Sequence, residues 1–194
     1  MMGLFERKKS IVQTGLLKGA TDRHSHILYG VDDGVATLEE SLQCLAFYEH
    51  EGLSDLWLTP HIMEDIPNTT ERLKSRYEDL LKAYVPEGES LAGKVRLHLA
   101  SEYMLDNEFD KRLELGDILT MEDNMVLVET SAWAPPVDLY SFLDKVKSKG
   151  EGEEKTFKVS VTPKMIETVF QEILIYSAQI YAVREKANKS KKYY

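Results

Sequence analysis

Two histidines one residue apart, His24 and His26, sit at the head of the stretch Thr21-Asp22-Arg23-His24-Ser25-His26-Ile27-Leu28-Tyr29-Gly30-Val31-Asp32-Asp33-Gly34. Side chains alternate along a strand, so both imidazoles of an extended His-x-His face the same way. Neutral imidazole nitrogens are common ligands for divalent metals, and such a pair at a strand end is a natural start for a hydrolytic metal site. In isolation the pattern fits a pair of surface or core histidines equally well. The pair gains weight from three further groups at the ends of apolar runs: His61 after Asp55-Leu56-Trp57-Leu58-Thr59-Pro60, Glu102 within 94–103, and Glu129 after Met125-Val126-Leu127-Val128.

Other reactive residue types have plainer readings. Asp32 and Asp33 lie in a glycine-bounded loop, where they either serve a metal site, as ligands or by orienting ligands, or simply form turns. His98 lies four residues ahead of Glu102 and reads as a packed core histidine, while His50, near a helix end, reads as a solvated one. Glu64 and Asp65 belong to a solvated loop, and Trp133 with Ala134-Pro135-Pro136 either lines the mouth of the site or packs. Cys44, the single cysteine, excludes an internal disulfide and a thiolate cluster. It lacks the C-x5-R setting of a cysteine-based phosphatase and reads as a packing residue.

The elements that must position these groups follow from periodicity and caps. A strand over 20–26 is followed by a helix that Thr37 caps, with Glu40 completing a capping box, Leu38, Leu42, Leu45 and Ala46 inward, and Gly52 at its end. A second strand spans 55–61. Asn68 with Glu71 forms a second capping box before a helix with Leu73, Tyr77, Leu80, Leu81 and Tyr84 inward. A third strand over 94–103 leads to a short helix from about Asp106 to Leu115 that Gly116 closes. The fourth strand, 125–130, precedes a helix after Pro135-Pro136 with Leu139, Leu143 and Val146 inward. Four β-α units in succession predict an α/β fold with a parallel sheet or β/α barrel. In such a barrel the functional groups gather at the carboxyl ends of the strands, which brings His24, His26, His61, Glu102 and Glu129 to one rim.

The flanks differ from this body. Residues 1–20 read as an N-terminal extension with Ile11, Val12, Leu16 and Leu17 tucked against it. After Gly150 comes a charged linker, 151–155, a short strand within 156–161, and an amphipathic helix opened by Thr162-Pro163 with Ile166, Val169, Phe170, Ile173, Leu174, Ser177 and Ile180 on one stripe. The segment ends in a basic, frayed run, 186–194. The expected organisation is therefore an extension (1–20), the N-terminal part of a barrel (21–150) and a divergent tail (151–194).

Bulk properties narrow the function class. The formal charge of −9 argues against a nucleic-acid-binding surface. No apolar run approaches the ~20 residues of a membrane span, and Arg7, Lys8 and Lys9 are not followed by the apolar core of a signal peptide. Low cysteine usage points to the cytoplasm.

The segments Asp22-Arg23-His24-Ser25-His26-Ile27-Leu28, Gly30-Val31-Asp32-Asp33-Gly34, Thr59-Pro60-His61, Ala100-Ser101-Glu102-Tyr103 and Val126-Leu127-Val128-Glu129 resemble the bacterial capsular-polysaccharide tyrosine-protein phosphatases. Those enzymes belong to the polymerase-and-histidinol-phosphatase (PHP) superfamily, and the resemblance covers about residues 1–150. It implies a distorted β/α barrel around a trinuclear centre of manganese or iron, with other divalent ions tolerated. His24, His26 and Glu102 would hold the first metal, Glu102 and Glu129 would bridge, and His61 would serve the third metal with Glu129. The implied reaction is attack of metal-activated water on a phosphotyrosine protein, a capsule-system tyrosine kinase being the expected partner.

The tail departs from that pattern. The family continues with a His-Pro-Glu-Arg strand and a later Asp-x-His element, and neither follows Gly150. The nearest echo is Phe157-Lys158-Val159-Ser160-Val161-Thr162-Pro163-Lys164, with Thr162 where the histidine would stand. The chain is also shorter than the ~250 residues of a full barrel, so truncation, frameshift or divergence after Gly150 is expected. Two other functions stay open on these residues: a catalytically inactive metal-binding or interaction remnant, and a PHP phosphoesterase with a small-molecule substrate. Strand edges left by a partial barrel predict self-association.

Overall fold

The computed structural model describes residues 14–130, 144–146 and, as a backbone strand, 158–161. Strand β1 (Thr21–Ser25) is followed by helix α1 (Leu38–Glu51), strands β2 (Asp55–Leu58) and β3 (His61–Ile62), and helix α2 (Thr70–Tyr84). Strands β4 (Arg96–Leu99) and β5 (Glu102–Met104), helix α3 (Asn107–Leu115) and strands β6 (Met125–Glu129) and β7 (Lys158–Val161) complete the order. Among the described residues the named strands pair in parallel: β1-β2-β4 form one sheet and β3-β5-β6-β7 a second. The fold is α/β with parallel sheets, as the β-α alternation predicts.

Local chemistry explains where the helices begin and end. Thr37 accepts from the Glu40 N–H and Glu40 reaches back to the Thr37 N–H, so both halves of the expected capping box are made. Gly52 and Gly116 end α1 and α3 in the left-handed conformation that glycine adopts without a Cβ penalty. The second expected box is not formed. Thr69 caps α2 instead, and Asn68 is buried, its amide donating to the carbonyls of Val31 and His61 at 2.9 and 2.8 Å.

The single long strands expected over 55–61 and 94–103 are each two strands in different sheets. Proline has no N–H to give to a ladder, so Pro60 interrupts β2 before β3 begins. The partner breaks at Ala100-Ser101, yet bonds from Ala100 N–H to Leu58 and from Glu102 N–H to Pro60 carry the pairing across. The chain thereby changes sheet just below the ends that carry His61 and Glu102.

One sheet face packs on the helices. Leu56, Leu58, Ile62, Tyr103, Val126 and Val128 join Leu45 of α1, Leu73, Leu80 and Tyr84 of α2, and Phe109 and Leu113 of α3 in one core, to which Val146 also belongs. On the other side Trp57, Ala100, Met121 and Leu127 form a smaller cluster. On α1 Leu45 and Ser41 are buried and the expected Leu38 and Leu42 pack half-buried against the core, while Ala46 is exposed. Ser41 is accommodated because its hydroxyl donates to the Ile27 carbonyl at 2.6 Å.

Other expectations are corrected. Leu16 is 68% exposed rather than tucked in. His98 is not enclosed in the core: its ring stacks on Trp57 at 4.7 Å and meets the Asp55 carboxylate at 2.9 Å. Two readings hold: Cys44 is half-buried against the core, and His50 is exposed. The expected edge strand near the tail is present as β7 beside β6. Ile11, Val12, Trp133, the helix after Pro135-Pro136 apart from Val146, the 151–155 linker and the tail from Thr162 lie outside the described residues. Among the described residues no helix is long and apolar enough to cross a membrane.

Candidate metal centre

The His-x-His stretch is held from both sides. Ser25 donates its hydroxyl to the Trp57 carbonyl at 2.8 Å and its N–H to the buried Thr59 hydroxyl at 3.0 Å, fixing the end of β1 against the end of β2. Between Asp22 and Ser25 the register with β2 shifts. A bulge of this kind re-aims a side chain, and here His24 reaches the buried Glu102. After His26 the chain closes a loop through Val35 N–H to His26 C=O and Gly30 N–H to Val35 C=O. Gly34 is required by close approach, since a Cβ there would stand 2.0 Å from the His26 carbonyl oxygen.

Glu102 is the hub. It is 1% exposed. Its Oε2 lies 3.0 Å from His24 Nε2, 3.2 Å from His26 Nε2 and 3.3 Å from His61 Nδ1. His24 Nε2 and His26 Nε2 are themselves 3.0 Å apart. His61 Nδ1 is also 3.4 Å from Glu129 Oε1, and His61 Nε2 is 3.6 Å from Asp33 Oδ1. The ligand atoms fall into three overlapping triads, His24–His26–Glu102, His26–Asp33–His61 and His61–Glu102–Glu129. Each pair of triads shares one residue.

The electrostatics of this cluster are those of groups forced together. Burial works against charge on Glu102, but hydrogen bonds from His24 and His26 outweigh it and hold the carboxyl down at about 2. Burial likewise opposes charge on His26, yet Asp32 and Glu102 push its ring up to about 10. Asp32 is lowered despite its burial, by His26 and by the backbone N–H groups of Gly34 and His61. His61 is lowered, chiefly by burial and against the pull of Glu102.

The donor set fits divalent cations. Ligand bonds of about 2.1 Å meeting at right angles put neighbouring ligand atoms about 3 Å apart, the spacing within the His24–His26–Glu102 triad. Within this cluster two buried atoms, Glu102 Oε1 and His61 Nδ1, have no hydrogen-bond partner among the described residues. Buried polar atoms normally find one, and a cation between them would satisfy both. It would also take the place of the proton that His26 otherwise holds.

The five residues drawn from strand ends, His24, His26, His61, Glu102 and Glu129, converge here. Asp33, left open by the sequence between ligand and turn former, is the sixth group in range, 75% exposed at the rim. Asn68, which the sequence assigns to a helix cap, instead ties the Val31 and His61 carbonyls together beside the site, a role with no sequence signal of its own.

Comparison with known proteins places this chain in a family. The sequence model described as "Capsular polysaccharide synthesis, CpsB/CapC" matches residues 20–151. Proteins named tyrosine-protein phosphatase CpsB, from Streptococcus agalactiae serotype V (strain ATCC BAA-611 / 2603 V/R) and serotype III (strain NEM316), are 27% identical to the chain over 130 residues. The alignment covers 66% of this chain and 52% of theirs, so the chain spans about half the length of the curated relatives it matches. The matched segment contains every residue of the three triads: the chain belongs to the CpsB/CapC family of capsular polysaccharide synthesis.

Proposed function

We propose that this chain is a metal-dependent phosphotyrosine-protein phosphatase of the capsule or exopolysaccharide system. In this reading residues 21–150 are the N-terminal part of a PHP-type barrel and 151–194 a divergent tail. The observation that carries it is the set of overlapping His and carboxylate triads around the buried Glu102. Manganese is the favoured ion, with iron or another divalent metal as substitutes, and the setting is cytoplasmic. The phosphorylated substrate is a protein of the capsule system, its tyrosine kinase foremost, and copies of the chain self-associate along open strand edges.

The roles follow from position. His24, His26 and Glu102 would hold one ion, and His61 and Glu129 would serve others, with Glu102 shared. Ions held there supply activation of water and neutralisation of the phosphoryl oxygens. Glu102 stays anionic under burial because His24 and His26 hydrogen-bond to it. Asp33 and His24, the more exposed members, define the side from which a phosphoryl group enters.

Phosphate release from a phosphotyrosine peptide with added Mn2+ tests the reading. Turnover well above that of His24→Ala is expected, and equal rates would sink it. A second reading, a catalytically inactive metal-binding remnant, is favoured by one observation: residues 151–194 contain no histidine. Elemental analysis of the purified chain separates the two, several bound ions supporting a competent centre and one or none the remnant.

A further inference from the structure

Asp32 belongs to none of the three triads, yet through His26 and His61 it touches members of all three. Its side chain is 0% exposed. Oδ2 lies 2.8 Å from His26 Nδ1 and accepts the His61 backbone N–H at 3.0 Å, while Oδ1 accepts the Gly34 N–H at 3.0 Å. A carboxylate can only accept, so the His26 nitrogen facing it must carry the hydrogen. The other nitrogen, Nε2, faces His24 Nε2 and Glu102 Oε2 and is the one from which a cation would displace the proton. The same oxygen that orders the His26 ring also fixes the chain at His61, across the gap between β1 and β3.

We propose that Asp32 is a positioning residue with two tasks. It sets the proton of His26 on Nδ1 so that Nε2 is presented as a ligand, and it locks the His26 and His61 clusters at a fixed separation. The inference rests on the proposed metal centre and deepens it. A carboxylate behind a ligating imidazole raises its basicity and fixes its orientation, but here the carboxylate also takes a backbone donor from a second ligand's strand. Its three partners are all donors, so an amide in its place turns an NH2 toward at least one of them. The Asp32→Asn variant is therefore disruptive in spite of its shape.

The test uses the full chain and two readouts. The first is Mn2+ affinity by calorimetry: Asp32→Asn and Asp32→Ala should each bind about 10–100-fold more weakly, and affinity within about 3-fold of the parent in both, a shift of only ~0.65 kcal/mol, would overturn the proposal. The second is the ring-nitrogen NMR spectrum of His26. A slowly exchanging downfield Nδ1–H is expected in the Zn2+-loaded and metal-free parent and lost in Asp32→Ala, which has no acceptor to offer. A hydrogen on Nε2 in the Zn2+-loaded parent would overturn it, and this readout needs no variant that folds. Should the parent bind no metal, the proposed function fails. The Nδ1–H signal of the metal-free chain then still decides the role of Asp32, its absence counting against it.

Discussion

His61 and Glu102 stand directly across from one another in the parallel pair β3–β5, with Nδ1 3.3 Å from Oε2. Both residues sit at the first position of their strands, immediately after the breaks at Pro60 and Ser101. Strand register therefore sets their separation. The Glu102→Gln variant keeps shape but turns an amide toward three imidazoles. Mn2+ affinity should fall at least ~100-fold, since in the proposed centre Glu102 is a ligand and matters no less than a supporting carboxylate. Calorimetric titration checks it, with circular dichroism to confirm that the fold is retained.

Gly34 offers a purely steric prediction. A methyl there would meet the His26 carbonyl carbon at 2.9 Å and its oxygen closer still, so backbone must move. Gly34→Ala should cost more than about 2 kcal/mol in a urea titration and weaken metal binding along with stability. An unchanged midpoint would contradict the loop geometry.

Ser41 carries a second. Its hydroxyl is the buried donor to the Ile27 carbonyl, one residue beyond His26. Ser41→Ala removes that donor and leaves a buried acceptor unsatisfied, at a cost of about 1–3 kcal/mol. The better helix propensity of alanine offsets only a few tenths. Denaturant midpoints of the two proteins decide it.

Asp55 predicts an acid limb. The carboxylate takes Nε and Nη2 of Arg96 at 2.8 and 2.6 Å and His98 Nε2 at 2.9 Å, and these partners hold it down at about 2. A carboxyl lowered on folding contributes stability above its unfolded pKa of about 3.9, and loses it as pH falls through the folded value. Stability should therefore decline between about pH 4 and pH 2 by this group, and Asp55→Asn should flatten that part of the curve. Thermal unfolding across the range measures it.

Much of this architecture was legible because it is written in local chemistry. The Thr37–Glu40 box, the Gly52 and Gly116 stops and the apolar runs announce themselves within a few residues. The convergence of His24, His26, His61, Glu102 and Glu129 was legible through topology, since parallel neighbours bring matching positions together, although His61 and Glu102 stand at the start of β3 and β5 rather than at the end of one long strand. What stayed hidden depends on partners far away in sequence. Pro60 is a local mark of the break within 55–61 that the strand assignment runs past, whereas the alternation of 94–103 continues smoothly and nothing local marks the change of sheet at Ala100-Ser101. Ser41 looks like an outward residue until the Ile27 carbonyl is placed opposite it, and Asn68 looks like a cap until it is found holding Val31 and His61. His98 reads as core from its strand alone; Asp55 and Trp57, on another strand, give it a different neighbourhood.

Strand β7 pairs with β6 along Met125–Val128, although it begins beyond residue 151, where the match to the family stops. Parallel pairing is made by main-chain groups, which are the same for every residue but proline. The berth beside β6 is thus open to a newcomer of unrelated ancestry, provided it has the length and an extended backbone. Similarity to relatives marks a boundary at 151 that the hydrogen-bonded sheet does not respect. A protein trimmed there would present the β6 edge bare, an invitation to intermolecular strand addition.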